Sequence, residues 1–309
     1  MKKIFIDGKS GTTGLRIYER LSERKDIELI ILSDTERRDL SARKEAINKS
    51  DVTFLCLPDE AARESVSLVE NPNTVVIDTS TAHRTEKGWV YGFPELNEEF
   101  EKQAKELKRI AVPGCHASGF IALCYPLIKN GLLNKEVLLT CTSVTGYSGG
   151  GKKMIADYES VERDNLLNFP RQYGLTQNHK HLKEMVYVTG LTNKPAFSPI
   201  VAPFYSGMEV TVPIFKEYLK CGITNKDIVN LYNNTYKSGI VYCENADENG
   251  FVSSGILSGK DSMIVSVFGN EERMILCARY DNLGKGASGA AIQCLNYILD
   301  VPEQTGLVL

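Results

Sequence analysis

Apolar residues in this chain fall into short runs, separated by amphipathic stretches and glycine turns. Lys3-Ile4-Phe5-Ile6 reads as a first strand, and it feeds Asp7-Gly8-Lys9-Ser10-Gly11-Thr12-Thr13-Gly14. Residues 15–23 follow as a predicted helix, with Leu15, Tyr18 and Leu21 at helical spacing. Further apolar runs at 28–32, 51–58, 74–78 and 109–112 predict four more strands, with a helix expected at about 59–69. Residues 91–96 read as a loop. Apolar runs joined by helices predict a parallel sheet buried on both faces.

The pattern then changes. Phe120, Ile121, Leu123, Cys124, Leu127 and Ile128 define a strongly apolar helix, which Pro126 is expected to end or kink. Residues 137–144 read as a long strand, and 154–178 as polar and irregular. Alternating segments at 202–204, 208–214, 263–268 and 273–278 predict a mixed or antiparallel sheet. A helix is expected over 223–237. A last helix should open in Asp281-Asn282-Leu283-Gly284-Lys285-Gly286-Ala287-Ser288-Gly289 and run to about residue 299.

Composition narrows the function classes. The chain has 309 residues, 42% of them hydrophobic and 24% charged, with a net charge of -3. That balance argues against a nucleic-acid partner, which calls for a basic face. No apolar run approaches the roughly 20 residues of a membrane span. The basic-then-apolar N-terminus is too short for a signal peptide. Eight cysteines are scattered singly, without metal-ligand spacing. They predict reduced thiols, a cytoplasmic protein and no metal.

The candidate chemistry begins at the glycine loop. A strand, a glycine-rich turn and a helix start bring backbone N–H groups to a pyrophosphate. The spacing is G-x-x-G-x-x-G at Gly8, Gly11 and Gly14, so Ser10, Thr12 and Thr13 join the candidate cofactor contacts. At the end of the second strand Asp34 could hold a ribose, whereas Arg37 and Arg38 could hold a 2′-phosphate, and Ser33 joins the candidate cofactor contacts. A solvated loop is the competing reading of both arginines. Pro58 and Ser80 follow later strands, at the carboxyl edge where such sheets bind ligands. Asn282 is a further candidate cofactor contact.

Val112-Pro113-Gly114-Cys115 delivers a thiol to a helix start. The positive end of a helix favours the thiolate, which is the nucleophile. A cysteine that is simply buried is the alternative. Ser148, Gly149, Lys152 and Lys153 lie in a flexible cationic stretch after a strand and are candidate anion contacts; a plain loop is the alternative there. His179 and His181 place half of the four histidines two residues apart. One is a candidate base, and on opposite faces only one should reach the sulfur.

The ordered set resembles a known family. The glycine loop, Asp78-Thr79-Ser80, Tyr91-Gly92-Phe93-Pro94-Glu95-Leu96, Pro113-Gly114-Cys115, Ser143-Val144-Thr145-Gly146-Tyr147-Ser148-Gly149, His179-Lys180-His181 and Asp281 to Gly289 occur in the order seen in short-form N-acetyl-gamma-glutamyl-phosphate reductases. These are relatives of aspartate-semialdehyde dehydrogenase. The resemblance spans nearly the whole chain. It implies an α/β fold: a Rossmann-type dinucleotide-binding domain over 1–115, completed by a C-terminal helix within 283–309. An α+β substrate and oligomerisation domain with a mixed sheet would occupy 116–282.

The resemblance also implies NADP(H), an acyl-phosphate substrate, arginine biosynthesis and a homodimer or homotetramer. It places the catalytic cysteine at Cys115, assisted by His181 or His179, with His181 preferred. Two positions depart from the family: Val112, often asparagine, and His116, often tyrosine. His116 thereby becomes a third candidate partner for Cys115. Aspartate-semialdehyde dehydrogenase or a related acyl-phosphate reductase is the rival enzyme reading, and a non-catalytic NAD(P)-binding regulator the rival of another class.

Overall fold

A parallel sheet forms where the first apolar runs were expected. The computed structural model describes all 309 residues. They divide into two compact units, one of Met1–Gly114 with Ala287–Leu307 and one of Cys115–Gly286 with Val308–Leu309. The first unit contains β1 (Lys2–Asp7), α1 (Thr12–Ser22), β2 (Ile27–Ile30), α2 (Leu40–Lys49), β3 (Val52–Leu55), α3 (Asp59–Ser67), β4 (Val75–Asp78), β5 (Val90–Tyr91), α4 (Phe100–Leu107) and β6 (Arg109–Ala111). Its strands pair in the order β2-β1-β3-β4-β6-β5, all parallel.

β3 and β4 are buried at every position, which is why they read as unbroken apolar runs. Ile4, Ile6, Phe54, Ile77 and Ile110 of the sheet pack with Ile17 and Leu21 of α1. Ala291 and Leu295, from the C-terminal helix Gly289–Ile298, complete the same core. The segment expected to be a loop at 91–96 instead begins with the end of an edge strand, because Val90 and Tyr91 pair with Ile110 and Ala111.

The second unit contains α5 (Cys115–Lys129), β7 (Thr140–Gly146), α6 (Gly151–Glu159), β8 (Arg171–Gln172), α7 (His181–Thr189), β9 (Ala196–Ala202), β10 (Met208–Phe215), α8 (Asn225–Thr235), β11 (Val241–Cys243), β12 (Met263–Gly269) and β13 (Arg273–Tyr280). Its strand order is β11-β12-β13-β10-β7-β9-β8. β7 runs parallel to β9 and β11 to β12, while the other pairs are antiparallel, so the sheet is mixed. α5 lies on β10 and β13, with α7 and α8 beside it. The final helix follows a single π-helical turn, Gly284–Ser288.

Two expectations are corrected here. α5 continues through Pro126 to Lys129. The proline removes the N–H that would bond to the Ala122 carbonyl, and the Tyr236 hydroxyl donates to that carbonyl instead at 2.6 Å. Residues 154–178 are not irregular throughout: α6, a 3-10 turn at Asn165–Asn168 and β8 lie there. Tyr158 and Leu167 anchor them in a small core with Val201. No helix of the chain is long and apolar enough to cross a membrane.

Candidate active site

The glycine loop of the first unit is shaped by close approach. Gly8 has φ 88°, and a Cβ there would lie 2.3 Å from the Cys56 carbonyl oxygen. A Cβ on Gly14 would lie 2.5 Å from the Gly8 oxygen. Only glycine fits either position, and the first turn of α1 is thereby drawn tight against β1. Gly11 caps that helix without a side-chain acceptor, so its leading N–H groups point out of the turn. Thr12 Oγ1 is shielded from solvent and has no hydrogen-bond partner. Such a cradle fits the phosphates of a dinucleotide.

Some of the other candidate cofactor contacts are engaged within the protein. The Ser33 N–H and Oγ–H both donate to Glu36 Oε2, at 2.8 and 2.6 Å. Arg37 pairs with Asp34 at 3.3 Å, whereas Arg38 is exposed and forms no ion pair. Ser10 is exposed, Thr13 half-buried, and Pro58 caps α3. Ser80 donates through Oγ to Asp78 Oδ2 at 2.7 Å, and Asp78 also pairs with His83 Nδ1 at 2.6 Å. His83 stacks on Trp89 with ring centroids 4.1 Å apart. Sequence reasoning missed Asp78, His83 and Trp89 as a unit, since nothing local signals an imidazole five residues from its carboxylate.

Cys115 is the first residue of α5 and is half-buried. Its backbone is pinned by Tyr280, whose hydroxyl donates to the Cys115 carbonyl at 2.5 Å and accepts from the Gly119 N–H at 3.0 Å. Gly119 makes this possible, because a Cβ there would lie 2.7 Å from the tyrosine oxygen. A Cβ on Gly286 would lie 3.2 Å from Cys115 Cβ, so that side is closed as well. Tyr280 carries no sequence signal; it sits at the end of a strand 165 residues away.

His116 does not face the cysteine as a base. Its Nδ1 lies 2.7 Å from Ser143 Oγ and its Nε2 2.5 Å from Tyr173 Oη. Burial, and then the nearby His179, push its pKa down to about 3, so the ring is neutral. His179 and His181 were expected on opposite faces; instead their rings lie 4.8 Å apart. The reason is a turn: the Leu182 N–H donates to the His179 carbonyl at 3.0 Å, just where α7 begins. Both rings pack on His116, at 5.7 and 5.5 Å. Burial, and then the Lys180 charge, lower the His179 pKa, which keeps that imidazole in its proton-accepting form. Glu184, one turn beyond His181, is 2% exposed.

The cationic stretch forms regular secondary structure. Lys152 and Lys153 are exposed on the first turn of α6, which follows a 3-10 turn at Tyr147–Gly150. Ser148 is buried there, whereas Gly149 is exposed. Ser148 Oγ accepts from Asn282 Nδ2 at 2.9 Å, and the Gly207 N–H donates to Asn282 Oδ1 at 3.0 Å. The Asn282 amide thus ties the turn, through Ser148, to the Gly207 backbone.

Known proteins match along the full length. Residues 3–104 match the semialdehyde dehydrogenase NAD-binding domain, and residues 115–282 the semialdehyde dehydrogenase dimerisation domain. N-acetyl-gamma-glutamyl-phosphate reductase 2 of Nostoc sp. is 42% identical over 319 aligned positions, covering 99% of both chains. The N-acetyl-gamma-glutamyl-phosphate reductase of Chelativorans sp. is 44% identical, covering 96% of this chain and 98% of its own. Among solved structures, aspartate semialdehyde dehydrogenase II of Vibrio cholerae has the same fold, with a TM-score of 0.75 at 16% identity over 97% of this chain and 98% of that one. On the strength of the full-length identity and both domain matches, the chain belongs to the N-acetyl-gamma-glutamyl-phosphate reductases, within the semialdehyde dehydrogenase family.

Proposed function

We propose that this chain reduces N-acetyl-gamma-glutamyl phosphate to N-acetylglutamate semialdehyde, releasing phosphate, with NADPH as reductant, as a step of arginine biosynthesis. The observation that carries the reading is a half-buried thiol at the first position of a 15-residue helix, in a chain collinear with reductases of that name. The α1 cradle, with Gly8, Gly14 and Thr12, supports the dinucleotide, and the unpaired Arg38 supports a 2′-phosphate on it. The dimerisation-domain match supports a homo-oligomer, a dimer or tetramer. Scattered single cysteines support the cytoplasm.

The Cys115 thiolate attacks the acyl carbon, and the C–O bond to phosphate breaks, leaving a thioester on sulfur. The dinucleotide supplies a hydride to that carbon when bound. Leading N–H groups of α5 hold the oxygen as it gains charge. His181, or His179 beside it, takes the thiol proton before attack and returns a proton as the tetrahedral adduct collapses to aldehyde and free sulfur. Lys152 and Lys153 contribute positive charge for the phosphate or carboxylate groups.

The test runs the reaction backwards: N-acetylglutamate semialdehyde, phosphate and NADP⁺ should give NADPH. Cys115→Ser should lose about a thousandfold in rate or more while still binding NADP⁺. A serine variant that keeps phosphate-dependent turnover overturns the covalent scheme. Wild-type enzyme that turns over only the aspartate analogue overturns the substrate.

A further inference from the structure

His179 and His181 share one corner of the second unit, but the start of α7 treats them differently. α7 begins at His181, and its leading N–H groups have no acceptor within the helix. Lys180, at the N-cap, offers none from its side chain. The His181 N–H donates instead to His179 Nδ1 at 3.3 Å. A backbone N–H can only donate, so this Nδ1 presents a lone pair and carries no hydrogen. The ring hydrogen of a neutral His179 therefore sits on Nε2. A second proton could enter only at Nδ1. It would break the bond to His181, set two N–H groups against each other and place a cation at the positive end of α7.

The surroundings do not favour a charged ring either. Lys180, next in the chain, is a cation whose charge adds to burial in lowering the His179 pKa. His116 on α5, His181 on α7, Tyr173 just past β8 and Phe197 on β9 pack around the ring at 5.7, 4.8, 5.9 and 5.2 Å. None of them brings a carboxylate. His179 Nε2 has no partner within the protein and is not sealed from solvent. We propose that His179 acts as a neutral donor, offering Nε2–H to an oxygen of the bound acyl phosphate, so that of the two histidines only His181 is left for the base role. A fixed donor of this kind steadies charge gathering on oxygen without giving up its proton. The inference rests on the reading above in taking an acyl phosphate as substrate; the placing of the ring hydrogen does not depend on it.

The first test locates the hydrogen. Two-bond nitrogen–proton correlation spectra of the intact enzyme, labelled with ¹⁵N-histidine, show which ring nitrogen is protonated, and the chain has only four histidines. The His179 peaks are those missing from His179→Gln. They should report hydrogen on Nε2, a lone pair on Nδ1 and no titration between pH 8 and 6. Hydrogen on Nδ1, or a midpoint near the ordinary value of about 6.5, overturns the proposal. The second test follows kcat/KM against pH in the reverse direction, with N-acetylglutamate semialdehyde, phosphate and NADP⁺. His179→Leu removes the donor and should cost about 10–100-fold, the scale of one hydrogen bond to a charged group. His179→Gln returns an amide N–H near the place of Nε2 and should recover most of that loss. Both should keep the acid limb of the wild-type profile, whereas His181→Gln should cost about a hundredfold or more and lose it. A glutamine variant as impaired as the leucine one, or an acid limb lost from either His179 variant, overturns the proposal. The expected spectra in an enzyme that does not turn over N-acetylglutamate semialdehyde overturn the substrate reading alone. Normal turnover with hydrogen on Nδ1 overturns this proposal alone.

Discussion

Replacing Tyr236 with phenylalanine isolates one hydrogen bond in the helix that carries the thiol. Pro126 cannot donate to the Ala122 carbonyl, and the Tyr236 hydroxyl does so at 2.6 Å. Ala122 is fully buried and Tyr236 only 4% exposed, so water has no route to replace the lost group. The phenylalanine ring fills the same space and leaves one buried acceptor unmet, which costs about 1–3 kcal/mol. For a unit of this size each kcal/mol lowers Tm by roughly 2–4 °C. Urea unfolding followed by circular dichroism, with calorimetry alongside, reads both quantities. The decisive arm is Pro126→Ala in the Tyr236→Phe background. Alanine restores the missing N–H, so the double variant should recover most of the loss, with a coupling of about 1 kcal/mol or more. A Tyr236→Phe protein as stable as wild type, or two losses that simply add, would refute the account.

Two further outcomes are expected. Gly8→Ala puts a Cβ against the Cys56 carbonyl at a positive φ, so NADPH affinity measured by fluorescence titration should fall about tenfold or more, with Cys115 alkylation unchanged; an unaltered Kd would remove the cradle from the cofactor site. His116 has a depressed pKa when folded, so the unfolded chain binds the extra proton and stability falls as pH drops below the unfolded value near 6.5. The contribution lost by pH 5.5 is about 1.4 kcal/mol, and it is fully present above neutrality. His116→Gln should flatten this part of the stability curve between pH 7 and 5; an unchanged slope would show that the ring is not held neutral.

The fold was legible where burial is two-sided or strictly alternating. β3 and β4 stand out because every residue is apolar or buried, and β10 because it alternates along its length. α2 and α4 were not legible, since each buries only two residues (Ala46 and Ile47, Phe100 and Ala104) within polar sequence. The helix does not end at Pro126, because the carbonyl that proline leaves unpaired is met by a tyrosine 114 residues away along the chain. The site followed the same rule. Cys115 and the glycine loop announce themselves through adjacent glycines and prolines, and the backbone there obeys. The histidine pair was seen, but its geometry was not, because the spacing rule assumed one regular element and the pair straddles a helix start. Ser143, Tyr173 and Tyr280 were invisible as site residues: each reaches the cysteine region from a distant strand or loop, and only packing brings them together.

The first unit borrows its last helix from the far end of the chain. On the ribosome, its core therefore stays incomplete until residues 287–307 emerge, after residues 115–286 of the second unit have been synthesised. A nascent chain stopped at Gly114 should expose the apolar face that Ala291 and Leu295 later cover, and so engage chaperones. Residues 115–286 of the thiol-bearing unit are thus available to fold before the first unit can close, and premature termination anywhere before the last helix should yield a protein without a finished nucleotide fold.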